Sequence, residues 1–177
     1  MMTNDQNDIA PEFYELVGRI ASDWAFLEMM VNDCIWALSG SSYGAGACVT
    51  AQIYSFDAKM KAMIALLRLR GREDLAKKAN SFLDTSRSSL TKRNRAIHDP
   101  WYLGEESATQ LSITADKRLI FDTVEKTLDQ LKSDHAAVEK TVIDFFDIHE
   151  EIRDVLPSLR DTQPLALRAT YRTLNQK

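Results

Sequence analysis

Near the middle of the chain stands the stretch Arg93-Asn94-Arg95-Ala96-Ile97-His98-Asp99-Pro100-Trp101. Here residues with reactive side chains occupy places that a helix usually gives to its core. A histidine with a pKa of about 6.5 can take a proton from a ribose 2′-hydroxyl, or return one to a leaving oxygen. An arginine, always charged and fork-shaped, can hold a phosphate and stabilise the extra negative charge that builds on it. Together they would suit RNA cleavage without a metal or other cofactor, leaving a 2′,3′-cyclic phosphate and a 5′-hydroxyl. The candidate catalytic residues are Arg93 and His98. Asn94 stands four residues before His98, where it could orient the imidazole. Lys92 and Arg95 are candidates for holding the RNA backbone. A simpler reading also fits, because cations in the last turns of any helix favour its dipole.

The elements that must position these residues are mostly helices. Pro11, Glu12 and Glu15 suit a first helical turn. From there Phe13, Val17, Ile20, Trp24, Leu27, Val31, Cys34 and Leu38 recur every three or four residues, which predicts a long, largely buried helix. Asp23, Glu28 and Asn32 interrupt it. Ser39-Gly40-Ser41-Ser42 reads as a turn. A short helix is expected over Ala45–Tyr54, where small residues permit close helix approach. Another follows from a cap at Ser55 or Asp57 and ends at Gly71.

The third long helix is expected over Arg72–Ile97, and Asp99-Pro100 ends it, since the residue before proline is pushed out of the α region. Strand-like pieces follow at Trp101–Leu103, Leu111–Thr114 and Arg118–Phe121, read as a small hairpin inserted between helices. A fourth long helix is expected from Asp122 or Thr123, where Asp122 and Glu125 fit a capping arrangement, to Pro157. The predicted fold is therefore all-α, a four- to five-helix up-down bundle with a small β-hairpin insertion near residues 101–121. Residues 1–10 read as a disordered N-terminus, 11–157 as one helical domain, and 158–177 as a basic C-terminal tail.

Geometry constrains the candidate site. With Leu90 taken as the centre of the inner stripe, Asn94 lies about 40° to one side and Ile97 about 20° to the other at 100° per residue. Arg93 and His98 then flank the stripe about 140° apart. The site is expected to need either unwinding of the helix at His98 or a second copy of the chain that completes it.

Composition narrows the function classes. Net charge is −4 over 177 residues. Yet the segment Lys59–Arg95 holds eleven basic and three acidic residues, so an acidic protein carries a basic middle third. Such a segment could face a phosphate backbone, or pair with acidic helices around it. No apolar run approaches membrane-spanning length, which predicts a chain without a membrane partner. Cys34 and Cys48, both in apolar surroundings, are expected to be reduced core thiols of a cytoplasmic protein. His135 and His149 lie about 21 Å apart along one helix, too far for one metal ion, so each is expected to bond a carbonyl or carboxylate instead.

The run Arg93-Asn94-Arg95-Ala96-Ile97-His98 resembles the signature of the HEPN superfamily, an Arg and a His separated by four to six residues with a polar residue, often Asn, after the Arg. The resemblance covers this motif and the general helical layout. It implies an α-helical bundle acting as a homodimer, with the active site built by two subunits. The implied activity is that of a metal-independent endoribonuclease, a toxin or phage-defence effector countered by an antitoxin or other partner protein. The alternative is a non-catalytic helical dimer that binds RNA or a protein. Where one subset of these toxins has a Tyr two residues after the His, this chain has Pro100, and the nearest tyrosine is Tyr102.

Overall fold

The computed structural model describes residues 9–105, 107–116 and 118–155, with the backbone alone at 114–116 and 118. Of the N-terminus expected to be disordered over 1–10, residues 1–8 lie outside the described residues, as does the tail 158–177, but Ile9 is buried and Ala10 already opens a helix. The elements are α1 (Ala10–Ser39), α2 (Tyr43–Thr50), α3 (Phe56–Leu69), α4 (Glu73–His98), β1 (Trp101–Leu103), β2 (Ser107–Asp116), β3 (Arg118–Thr127) and α5 (Leu128–Val155). The fold is thus mostly α, with one small antiparallel sheet in the order β1-β2-β3. Among the described residues no helix is long and apolar enough to cross a membrane.

Within the domain expected over 11–157, the residues group into two compact units. One draws on Met1–Phe26 and Thr85–Ile143, the other on Leu27–Asp84 and Asp144–Lys177. The long helices α1, α4 and α5 each lend one stretch to each unit.

The second unit packs the later part of α1 with α2, α3, the start of α4 and the end of α5. Its buried side chains include Leu27, Met30, Leu38, Met60, Met63, Leu67, Leu75 and Phe145. Gly40 and Gly71 both sit at φ 72°, a left-handed conformation that other residues adopt at a cost. At Gly71 the amide bonds Arg68 O, and the amide of Arg72 bonds Leu67 O, which closes α3 with a Schellman turn. Ser55 caps the start of α3 by accepting from Ala58 N. The close approach expected of the small residues is real at Gly46. A Cβ there would lie 2.3 Å from the Trp36 ring, whose indole donates to Thr50 Oγ1 at 3.0 Å. The short helix runs two residues earlier and ends four earlier than expected, because Ser42 supplies its N-cap. Cys34 is buried as expected, but Cys48 is exposed on α2 and is no core thiol.

The first unit holds the sheet, and here the expected boundaries shift. The hairpin is longer than expected: β2 and β3 pair along their whole ten-residue lengths, from Ser107↔Thr127 to Asp116↔Arg118. Helix α5 therefore begins at Leu128 and not at Asp122. The cause is local. Thr127 Oγ1 accepts from Gln130 N at 3.3 Å, and Gln130 Oε1 accepts from Thr127 N at 3.0 Å. That is a reciprocal capping box, five residues beyond the arrangement read at Asp122.

Each unit also contains one His–Asp pair joining α5 to α1. His135 Nε2 lies 2.8 Å from Asp23 Oδ2, and His149 Nε2 lies 2.9 Å from Asp33 Oδ2. His149 is fully buried, and Glu150 Oε1 stands 3.6 Å from its other ring nitrogen. Burial opposes the charged imidazolium, but the hydrogen bond to Asp33 and the carboxylate of Glu150 beside the ring outweigh it and raise the His149 pKa. Its stabilising contribution is complete below the unfolded value and is lost as pH rises through the folded one. Urea unfolding of His149→Leu should show a loss of about 3 kcal/mol near pH 6, where Asp33 loses its imidazolium partner, and a smaller loss near pH 9. A gap that widens with pH would show that the ring is held neutral.

Candidate functional site

Helix α4 carries the candidate residues because its last turns combine strong helix-forming cations with an abrupt stop. The amide of Asp99 still bonds Arg95 O at 3.2 Å, so the helix keeps its hydrogen bonds past His98. Pro100 then turns the chain into β1, and its carbonyl accepts from Leu111 N at 3.0 Å. The Trp101 indole folds back and donates to Ala96 O at 3.0 Å, satisfying one carbonyl of the helix terminus. Its ring packs edge-on against Phe13 of α1, with centroids 4.9 Å apart.

The buried face of these turns is not the one centred on Leu90. Ser86, Ser89 and Ala96 are buried, Leu90 and Arg93 are half-buried, and Asn94 is exposed. On the helical wheel this turns the inner face about 80° toward Arg93 and away from Asn94 and His98. The reason is hydrogen bonding. Thr141 Oγ1 donates to Ser89 Oγ at 2.8 Å, and Ser89 Oγ donates to Ala137 O at 3.1 Å, so small polar groups close the α4–α5 contact.

Arg93 and His98 nevertheless meet within one chain. Arg93 Nη1 lies 3.4 Å from His98 Nε2 and donates to Asn94 Oδ1 at 2.9 Å. The expectation that an unbroken helix keeps them apart fails, because the arginine side chain is long enough to cross the intervening arc. Asn94 bonds Arg93 and not His98, so it braces the guanidinium and not the imidazole. With Nη1 as donor, His98 Nε2 acts as acceptor, which places its lone pair beside a fixed positive charge. His98 is exposed, and Arg93 bridges from the protein interior to it.

Lys92 and Arg95 part company. Arg95 is exposed on the same helix end. Lys92 points elsewhere and binds Asp134 Oδ1 at 3.0 Å, while Lys126 holds the other carboxylate oxygen at 2.5 Å. Burial works against the Asp134 carboxylate, but the two lysines hold its pKa below the ordinary range. A pocket of about 280 Å³ adjoins this cluster, lined by Val124, Glu125, Lys126, Gln130, Ser133 and Asp134. Asp134 and Lys126 were not singled out in the sequence. The only signal was an acidic residue next to His135 on an apolar seam. Among the described residues no three His, Cys, Asp or Glu side chains gather as a metal site would require.

Gln110 is also new. It lies opposite Trp101 in the sheet and is fully buried, and neither end of its amide meets a protein partner among the described residues. Nor do Arg93 Nε and Asp99 Oδ2.

No protein family, characterised protein or solved structure was found to match this chain.

Burying an amide without partners costs more than burying a thioether of similar length. Gln110→Met should therefore raise unfolding stability by about 1 kcal/mol in chemical denaturation. A loss of similar size would mean that the amide is satisfied in solution.

Proposed function

We propose that this protein is a metal-independent endoribonuclease of HEPN type that acts as a homodimer, with Arg93 and His98 as its catalytic pair. The observation that carries the reading is the approach of Arg93 Nη1 to His98 Nε2 at 3.4 Å on an accessible helix end. A general base needs its lone pair within reach of the proton it removes, and a phosphate needs a fork of donors beside that base. In this reading the Arg93 guanidinium turns from His98 Nε2 to the phosphate, and the freed Nε2 lone pair takes the 2′-hydroxyl proton. The freed oxygen attacks the adjacent phosphorus, the P–O5′ bond breaks, and the leaving 5′-oxygen takes the proton held on the His98 imidazolium. Arg93 stabilises the charge that accumulates on the phosphoryl oxygens. Asn94 acts on Arg93 by fixing the guanidinium. Arg95 holds the RNA backbone, and Lys92 joins it only by leaving Asp134. In this reading the helices form the four- to five-helix up-down bundle expected from the sequence, in a cytoplasmic toxin or phage-defence effector restrained by an antitoxin or other partner.

The purified protein should cut RNA in the presence of EDTA and leave cyclic phosphate ends. His98→Ala should slow cutting by about a hundredfold or more, the usual contribution of a general acid or base. Arg93→Lys should also be impaired, because a point charge does not replace a bidentate fork. Circular dichroism of both variants should match wild type. Cutting that persists in His98→Ala would remove the residue from the mechanism. Wild-type protein that binds RNA or a partner without cutting would support the non-catalytic dimer instead.

A further inference from the structure

Asp134 of α5 is held by two lysines from two other elements. Lys92 of α4 meets its Oδ1 at 3.0 Å, and Lys126 of β3 meets its Oδ2 at 2.5 Å. The side chains of Lys92, Lys126 and Asp134 are only 33%, 18% and 13% exposed. One carboxylate neutralises one ammonium, so the triad keeps a positive charge in excess where water reaches it poorly. A single pair would join α5 to a neighbouring element without that excess. A second cation in such a place costs free energy unless another anion comes to it. The cluster has room for one. The adjoining pocket of about 280 Å³ is lined by Val124, Glu125, Lys126, Gln130, Ser133 and Asp134. That is several times the share of one water molecule, about 30 Å³.

The groups around the pocket select its ligand. Gln130 commits its carbonyl oxygen to Thr127 N, so what its amide can offer a ligand is an N–H donor. Ser133 adds a hydroxyl, and Lys126 an ammonium. Glu125 lines the pocket too and accepts from Ser107 Oγ, so an incoming anion gains only by taking the lysines from Asp134. A phosphate suits that exchange, because its oxygens accept the same charge-assisted hydrogen bonds as a carboxylate. The place also adjoins the candidate site. Lys92 directly precedes Arg93, whose guanidinium reaches His98, and consecutive Cα atoms lie about 3.8 Å apart.

We propose that Lys92 and Lys126 form a second phosphate subsite for single-stranded RNA, and that Asp134 occupies it until an RNA phosphate displaces the carboxylate. The inference rests on the reading of Arg93 and His98 as an RNA site, and it gives that site an internal competitor for the strand. A strand whose reacting phosphate lies on Arg93 carries its neighbouring phosphates past the root of Lys92. The test uses the full chain and a short fluorescent oligouridine, 2′-O-methylated so that it cannot be cut, followed by anisotropy over a range of salt. Asp134→Asn should bind about tenfold more tightly than wild type, the worth of one charge-assisted contact. Its plot of log affinity against log salt should steepen by about 0.7, the value for one added phosphate contact on a single strand. Adding Lys126→Gln to Asp134→Asn should abolish both gains. Asp147→Asn, at an exposed acid in the other unit, should change neither. Circular dichroism should show Asp134→Asn folded. Should two facing lysines unfold it, Asp134→Asn with Lys92→Gln keeps one cation and should still bind more tightly than Lys92→Gln alone. Uridine monophosphate should compete only weakly, and displacement at equal concentration would replace the RNA assignment with a nucleotide site. Unchanged binding in Asp134→Asn would overturn the proposal. So would a gain that survives Lys126→Gln or appears equally in Asp147→Asn, or an oligomer that binds none of these proteins. Tighter binding by Asp134→Asn without cutting of unmodified RNA would leave the subsite standing and sink the ribonuclease chemistry. RNA cut by wild type, with Asp134→Asn binding unchanged, would do the reverse.

Discussion

Helix α4 cannot pass Pro100, and much of the first unit depends on that single stop. Proline offers no amide to continue the ladder and forces Asp99 out of the helical region. The chain must reverse there, and it reverses into a strand whose first side chain returns to the helix. The Trp101 indole on the Ala96 carbonyl ties sheet to helix at a point where carbonyls would otherwise need water. The Pro100 carbonyl, taken up by Leu111 N, ties the same corner to β2. With both bonds made, the last turn of α4 is held firm while its outer side stays open. A long arginine side chain and an imidazole can then face each other across a helix end that does not fray.

The sequence disclosed the elements better than their faces. Five helices, the stop at Pro100 and strand pieces after it could all be read from apolar spacing and from punctuation by proline and glycine. The orientation of α4 could not. Leu90 was the obvious centre by hydropathy, yet the face that packs inward runs through Ser86, Ser89 and Ala96. Buried serines are invisible to a hydrophobic count, because what qualifies them is a partner such as Thr141 fifty-two residues away. The same limit hid the start of α5. Val124, Leu128 and Leu131 keep a helical rhythm, but Val124 belongs to a strand. Only the reciprocal bonds of Thr127 and Gln130 decide where the helix begins.

The candidate site shows a second kind of limit. Residue types were legible, since Arg93, Asn94 and His98 stand out by chemistry alone. Their contacts depended on side-chain reach, which a helical wheel omits. A wheel compares Cα directions, whereas a guanidinium sits some six atoms beyond its Cα and can cross the arc between two of them. Lys92 shows the opposite case. It stands beside Arg93 in sequence, but its neighbours are Asp134 and Lys126, drawn from elements far along the chain. The two His–Asp pairs were half legible. The histidines looked like buried residues in need of an acceptor, but Asp23 and Asp33 on α1 could not be matched to them without coordinates.

The two cysteines differ in a way that has practical value. Burial pushes the Cys34 thiol well above its ordinary pKa, with the negative charge of Asp33 adding to the effect, and no solvent reaches it. Cys48 lies open on α2. Thiolate attack needs both ionisation and access, so a maleimide dye should react at one position and spare the other. The native chain thus carries a single attachment point for a fluorophore or spin label. It sits in the second unit on α2, whereas Arg93 and His98 belong to α4, so rotational mobility can be followed without substituting either.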